Sequence, residues 1–170
     1  LERTRQHRPD ARINGILVQP MTRPRYGREL MVGVTHDDSF GPVMTFGMGG
    51  IAVEVLNDTS IALPPLNDYL AERMIEQTRV RTILGAFKNM PPVRLDAIRQ
   101  VLLRVSEMVC ALPELWEMDI NPLIADENGV VALDARVVIR EAGSERRFGH
   151  MSIMPYPADR AHSAKLSDGT

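Results

Sequence analysis

Hydrophobic positions in this chain repeat with a period of two through much of its first third, with a helical period in its middle, and with a period of two again around residue 130. Residues 13–21 (INGILVQPM) are rich in aliphatic side chains, and residues 28–36 (RELMVGVTH) alternate so that Leu30, Val32 and Val34 share one face. Both runs read as strands. Between them TRPRYG is turn-forming, DDSFGP separates the second strand from PVMTF, and GMGG at residues 47–50 leads into IAVEVL at residues 51–56. The expected arrangement is a meander of short antiparallel strands.

After Pro64 and Pro65 the period lengthens. Asn67 or Asp68 can cap a helix running through YLAERMIEQT, with Leu70, Met74 and Ile75 at helical spacing, and a short helical stretch follows through Leu84. A longer helix is predicted after Pro91 and Pro92, where Ile98, Leu102, Val105 and Val109 form one stripe expected to pack on the sheet. Residues 115–139 then alternate as two strands of a hairpin joined at Asp126-Glu127-Asn128-Gly129. Asn-Gly tolerates positive φ at successive positions, which a two-residue hairpin turn requires.

A two-residue loop at Asn128-Gly129 makes Glu127 face Val130 and Asn121 face Arg136. Glu117, Asp119 and Asn121 then share a face with Asp134 and Arg136, and Asn121 lies diagonal to Asp134 at roughly 7–8 Å. An amide oxygen and a carboxylate at that separation can hold a hard cation, because Mg²⁺ takes one or two such ligands and completes its octahedron with water and phosphate oxygens. A plainer reading is a solvated polar strip in which Asp119 and Asp134 pair with Arg136. Spacing alone favours the plainer one.

Other residue groups narrow the chemistry. Gly47, Gly49 and Gly50 allow close backbone approach, but a strand-like run follows them, so neither the dinucleotide fingerprint nor the P-loop applies, and a tight turn accounts for them alone. Glu29 lies on the strand face opposite Leu30, where it either lines a pocket or is solvated. His7, His36, His150 and His162 are scattered without zinc spacing and receive no catalytic role. Lys88 and Lys165 are the only lysines among 20 basic residues, so no phosphate-gripping lysine is evident, and no residue is assigned as catalytic.

Composition agrees with one α+β domain. The 170 residues are 44% hydrophobic and 25% charged, enough for one real core. No apolar run approaches the ~20 residues that span a bilayer. Net charge is −2 and aromatics make up 5%, which argues against a nucleic-acid partner. The single cysteine, Cys110, cannot form an internal disulfide and fits a reducing, cytoplasmic setting. Residues 1–12 are arginine-rich and polar, and read as an excised leading segment. Residues 13–142 form the domain, and 143–170 read as a polar tail or linker.

The order of motifs LVQPM, then ELMVGVTHDDSFGPVMTFGMGGIAVEVLNDTSIALPPL, then DINPLIADENGVVALDARVVI resembles the ATP-grasp domain of ADP-forming acyl-CoA synthetases across residues 13–139. It is similar, more distantly, to the beta subunit of succinyl-CoA synthetase. The resemblance implies the C-terminal lobe of an ATP-grasp fold, with a mostly antiparallel sheet packed with helices. It implies that Asn121 and Asp134 coordinate the Mg²⁺ of Mg-ATP, and that residues 19–21, including Gln19 and Met21, form a hinge contacting adenine. Glu29 would face the nucleotide, with Gly49 and Gly50 near its phosphate end and Glu54 on the next strand. Gln19 departs from the glutamate often found there. The other ATP-grasp lobe, a phosphohistidine and the CoA-binding parts would lie in the rest of a parent ligase, so the chain alone is expected to be inactive and to hold ATP or ADP weakly. Residues 151–170 (MSIMPYPADRAHSAKLSDGT) also resemble the junction to a GNAT-fold domain in protein lysine acetyltransferases. The alternative function is therefore a regulatory acyl-CoA or nucleotide sensor.

Overall fold

In the computed structural model, residues 2–16, 18, 20, 21, 25–50 and 58–141 are described. Strand β1 (Arg28–Asp37) is the centre of the fold. It pairs antiparallel with β2 (Gly41–Met48) on one side and with β4 (Leu115–Ala125) on the other. The sheet continues outward from β2 to β3 (Thr59–Ala62), while β4 meets two further strands, β5 (Val130–Ala132) and β6 (Ala135–Ile139). The expected α+β architecture with an antiparallel sheet is present.

Alternation in β1 does what its sequence requires. Leu30, Val32 and Val34 are wholly buried on one face, where Met44 and Phe46 of β2 join them. Two helices cover that face. Helix α2 (Asp68–Glu76) starts at Asn67, whose side chain accepts from the Leu70 N–H, and α4 (Leu95–Ala111) inserts Ile98, Leu102, Val105 and Val109 into the same core. In α2 the inward positions are Ala71, Met74 and Ile75, and Leu70 is turned toward solvent. Leu70 precedes Ala71 by one residue, about 100° around the helix, which carries it off the buried stripe.

Short helices complete the described elements: α1 (Glu2–His7), with no buried residue, and α3 (Arg81–Leu84). Arg28 secures the connection after α3. Although it opens β1, it is 3% exposed, and its guanidinium donates to the carbonyls of Tyr26, Ile83, Gly85 and Pro91. The side chain thus replaces water for carbonyls at the end of α3 and in the adjoining loops that lack backbone partners of their own among the described residues.

Several expectations need correction. The described part of residues 13–21 forms no strand: Ile16, Val18 and Met21 are 68%, 88% and 78% exposed. Aliphatic composition raises strand propensity, but no neighbouring described strand pairs with this run. The predicted strand at 51–56 lies outside the described residues, as does the tail from 142. Strand β3 was unforeseen, and α1 falls within the segment read as a polar leader.

The hairpin register also differs. Ala125 pairs with Val130, so the loop comprises four residues, 126–129, in place of two. Asp126 causes this by folding back on the loop, its Oδ1 accepting from the N–H groups of Asn128 and Gly129 at 2.8 and 3.0 Å. Arg136 therefore faces Asp119, and Asn121 comes directly opposite Asp134. A two-residue shift keeps every side chain on its expected face.

The Asn128 N–H chiefly holds the Asp126 carboxyl below its ordinary range; burial opposes it, and the Gly129 N–H adds a lesser pull in the same direction as Asn128. A carboxyl depressed by folding contributes stability above its unfolded pKa, and that contribution disappears as pH falls through the lower folded value. Asp126→Ala should consequently flatten the loss of stability below about pH 4. Urea midpoints between neutral and acidic pH would show it; an acid slope equal to that of the parent would contradict the assignment.

Candidate functional site

Among the described residues, no element covers the face of the sheet away from the helices, and that face is largely polar. Alternation places Gly33 and Thr35 of β1, Thr45 of β2, Glu117, Asp119 and Asn121 of β4, and Arg136 of β6 on it. Together they surround a hollow of about 300 Å³. Its floor is shallow at Gly33, where an added Cβ would strike the Thr45 hydroxyl.

Next to this hollow the chain makes a turn at Gly49-Gly50. The Gly49 N–H donates to the Glu29 carbonyl at 2.8 Å, and the Gly50 N–H donates to Asn121 Oδ1 at 2.9 Å. Gly49 packs on the backbone of Leu30 so closely that a Cβ there would overlap it. Gly50 has φ +68°, and the Glu29 carboxylate occupies the space where its Cβ would be. Gly49 is thereby required by backbone contact and Gly50 by its positive φ, a stronger constraint than a tight turn alone imposes.

Asn121 joins this turn to β6. Its N–H donates to the Asp134 carbonyl at 3.3 Å, and its neighbour Pro122 accepts from the Leu133 N–H at 3.0 Å. Asp134 is exposed immediately before β6, with Oδ1 accepting from the Ala135 N–H, and does not line the hollow itself. Five of the seven candidate residues, Glu29, Gly49, Gly50, Asn121 and Asp134, are thus linked through adjacent contacts. Met21 takes no part in the described contacts, and Gln19 lies outside the described residues, as does Glu54. The ion pair of the plainer reading does not form: among the described residues, neither Asp119 nor Asp134 comes within ion-pair distance of Arg136.

The donor set suits a hard cation. Asn121 Oδ1 accepts one N–H and, as a carbonyl oxygen, has a second lone pair; Asp134 adds a carboxylate from the facing position. Among the described residues there is no cluster of three or more His, Cys, Asp or Glu side chains able to enclose a metal. A cation here would therefore draw its remaining ligands from water or phosphate. That composition favours Mg²⁺ over zinc, which prefers nitrogen and sulfur donors.

Sequence reading missed the Asn121–Gly50 hydrogen bond and the part played by Gly33. The only local signal for the latter was a glycine between two valines, since an isolated strand glycine often marks close approach.

Among the described residues, the chain is a helix-backed antiparallel sheet whose other face is polar and bordered by a glycine turn and an amide–carboxylate pair. The chain belongs to the ATP-grasp family, with residues 1–139 matching the ATP-grasp domain. It is 36% identical over 139 residues to the beta subunit of acetate–CoA ligase (ADP-forming) I of Pyrococcus furiosus, covering 82% of this chain and 59% of that subunit. With acetate–CoA ligase (ADP-forming) I of Archaeoglobus fulgidus it shares 42% identity over 133 residues, 78% of this chain and 19% of the relative. The dinucleotide-forming acetyl-coenzyme A synthetase 1 of Ca. Korarchaeum cryptofilum, solved with coenzyme A and Mg-AMPPCP, superposes with a TM-score of 0.67 at 38% identity. That match covers 70% of this chain and 55% of the synthetase chain. The chain spans less than two thirds of each of these relatives. No described helix is long and apolar enough to cross a membrane.

Proposed function

We propose that this chain is the metal- and phosphate-facing lobe of an ADP-forming acyl-CoA synthetase, a cytoplasmic ligase that interconverts acyl-CoA, ADP and phosphate with carboxylate, CoA and ATP. The observation that carries this reading is the Asn121 amide oxygen, fixed by the Gly50 N–H and facing Asp134 on the border of the open sheet face. Mg²⁺ held there would neutralise phosphate charge during phosphoryl transfer. Asn121 and Asp134 are its proposed ligands. Glu29 orders the glycine turn from beneath and presents a carboxylate to the nucleotide, while Gly49 and Gly50 keep that side free of side chains. Gln19 and Met21 are assigned to the adenine hinge on the family resemblance alone.

The other ATP-grasp lobe and the CoA-binding parts would come from the remainder of the larger protein, as the short span against the relatives supports. The sensor reading linked to a GNAT domain rests on residues 151–170, which lie outside the described residues, and the relatives give it no support.

The test uses the protein containing both lobes. Asn121→Ala and Asp134→Ala should each weaken Mg-ATP binding by about tenfold or more, the equivalent of one charged-group contact, while leaving metal-free ATP binding little changed. Calorimetric titration with and without Mg²⁺ separates the two. Parental Mg-ATP affinity in both variants would remove the metal assignment.

A further inference from the structure

The open face carries a charge problem that the metal pair only partly solves. Glu117 and Asp119 line the hollow, and Asp134 and Glu29 stand beside it, all on the side proposed to receive a polyphosphate. Carboxylates so placed repel phosphate oxygens. Arg136 is the only cation among the described residues lining the hollow.

Its placement is specific. Arg136 sits two residues beyond Asp134, on the same face of β6, and directly opposite Asp119 across the β4–β6 ladder. Even so, it makes no ion pair with a described residue, whereas Arg81, Arg94, Arg99 and Arg104 each do. Among the described residues, then, the guanidinium shares a face with acidic groups without pairing with any of them. Gly33 pairs with Asp119 on the other side of β4, and the Thr45 hydroxyl takes the place a side chain there would need, so only small groups form the floor between β1 and β2. A planar guanidinium with a fork of N–H groups matches two oxygens of a phosphoryl group, which a single ammonium does not.

We infer that Arg136 binds the terminal phosphoryl group of the nucleotide, beside the cation held by Asn121 and Asp134. The inference rests on the proposed nucleotide-binding role of this face and adds to it a residue that distinguishes a triphosphate from a monophosphate. Its position on the side of β4 away from the Gly49-Gly50 turn lets cation, turn and guanidinium meet the phosphate chain from different directions.

The experiment compares Mg-ATP and AMP binding to the two-lobed protein and to its Arg136→Met and Arg136→Lys variants. Arg136→Met should weaken Mg-ATP by about tenfold to a hundredfold, as expected for losing a charge-assisted contact, and leave AMP affinity within about twofold. Arg136→Lys should recover part of the Mg-ATP affinity. The inference is overturned if Arg136→Met binds Mg-ATP as the parent does, or if it loses Mg-ATP and AMP alike, which would mark a structural role. An unmutated protein that binds no nucleotide would overturn both this inference and the function it rests on. Nucleotide binding that depends on Asn121 and Asp134 but not on Arg136 would remove the inference alone.

Discussion

Arg28→Met should unfold about 3 kcal/mol more easily than the parent, a loss typical of removing one member of a buried, hydrogen-bonded charged network. Arg28 is buried with no carboxylate partner among the described residues, so its charge is met by carbonyl dipoles. Ile83 presents its oxygen to it from α3, Gly85 and Pro91 from the stretch between α3 and α4, and Tyr26 from just before β1. Methionine fills much of the stem's volume and supplies no donor, which leaves those carbonyls without the partner they have in the fold. Arg28→Lys keeps the charge, but a compact ammonium cannot reach such widely spread acceptors, and it should recover only part of the loss. Urea unfolding followed through Trp116, the single tryptophan, measures both. A midpoint for Arg28→Met equal to the parent's would show that the guanidinium contacts contribute nothing net.

Gly49→Ala should cost about 2–4 kcal/mol, because the new methyl meets backbone and not a movable side chain. The atoms in its way belong to Leu30, which pairs with Met48 on one side and Leu123 on the other. Relief requires the turn to lift away from β1, with loss of the hydrogen bond from Gly49 to Glu29 and strain on the one from Gly50 to Asn121. The damage therefore reaches the candidate metal ligand. Gly50→Ala differs in kind: the obstructing Glu29 carboxylate can swing aside, and the remaining cost is the positive φ, about 1–2 kcal/mol. Denaturant midpoints should rank the two in that order, and Gly50 amide exchange should quicken in Gly49→Ala. The reverse ranking would mean that the turn yields more easily than the strand contacts imply.

The parts legible in the sequence were those governed by local period. Ile98, Leu102, Val105 and Val109 recur on a helical face and are buried on one; Leu30, Val32 and Val34 alternate and are buried together. Asn67 was legible as a cap because its bond to Leu70 spans three residues. Residues 13–21 misled because aliphatic content says nothing about whether a partner strand is present. Strand β3 escaped because four residues with one buried position carry almost no period. Arginine at a strand end ordinarily reads as solvated, so the burial of Arg28 depended on carbonyls more than fifty residues away. The Asn121–Gly50 bond spans 71 positions and has no local signature. The seven candidate residues came from motif order and hairpin register, whereas their mutual contacts required the fold.

The four-residue hairpin loop sets a rule for which changes of length the polar face can survive. Lengthening or shortening the loop by two residues slides β6 along β4 by two positions, so Asn121 meets a different neighbour while acidic and basic side chains still project from the open face. A single insertion inverts the second strand: Val137 would take a place on the polar side, and Asp134 and Arg136 would turn toward the helices. Loops are usually the most permissive places for insertions and deletions. In this one the tolerance has parity, and variation confined to even steps would be the mark that selection on the face, rather than on the turn, governs its length.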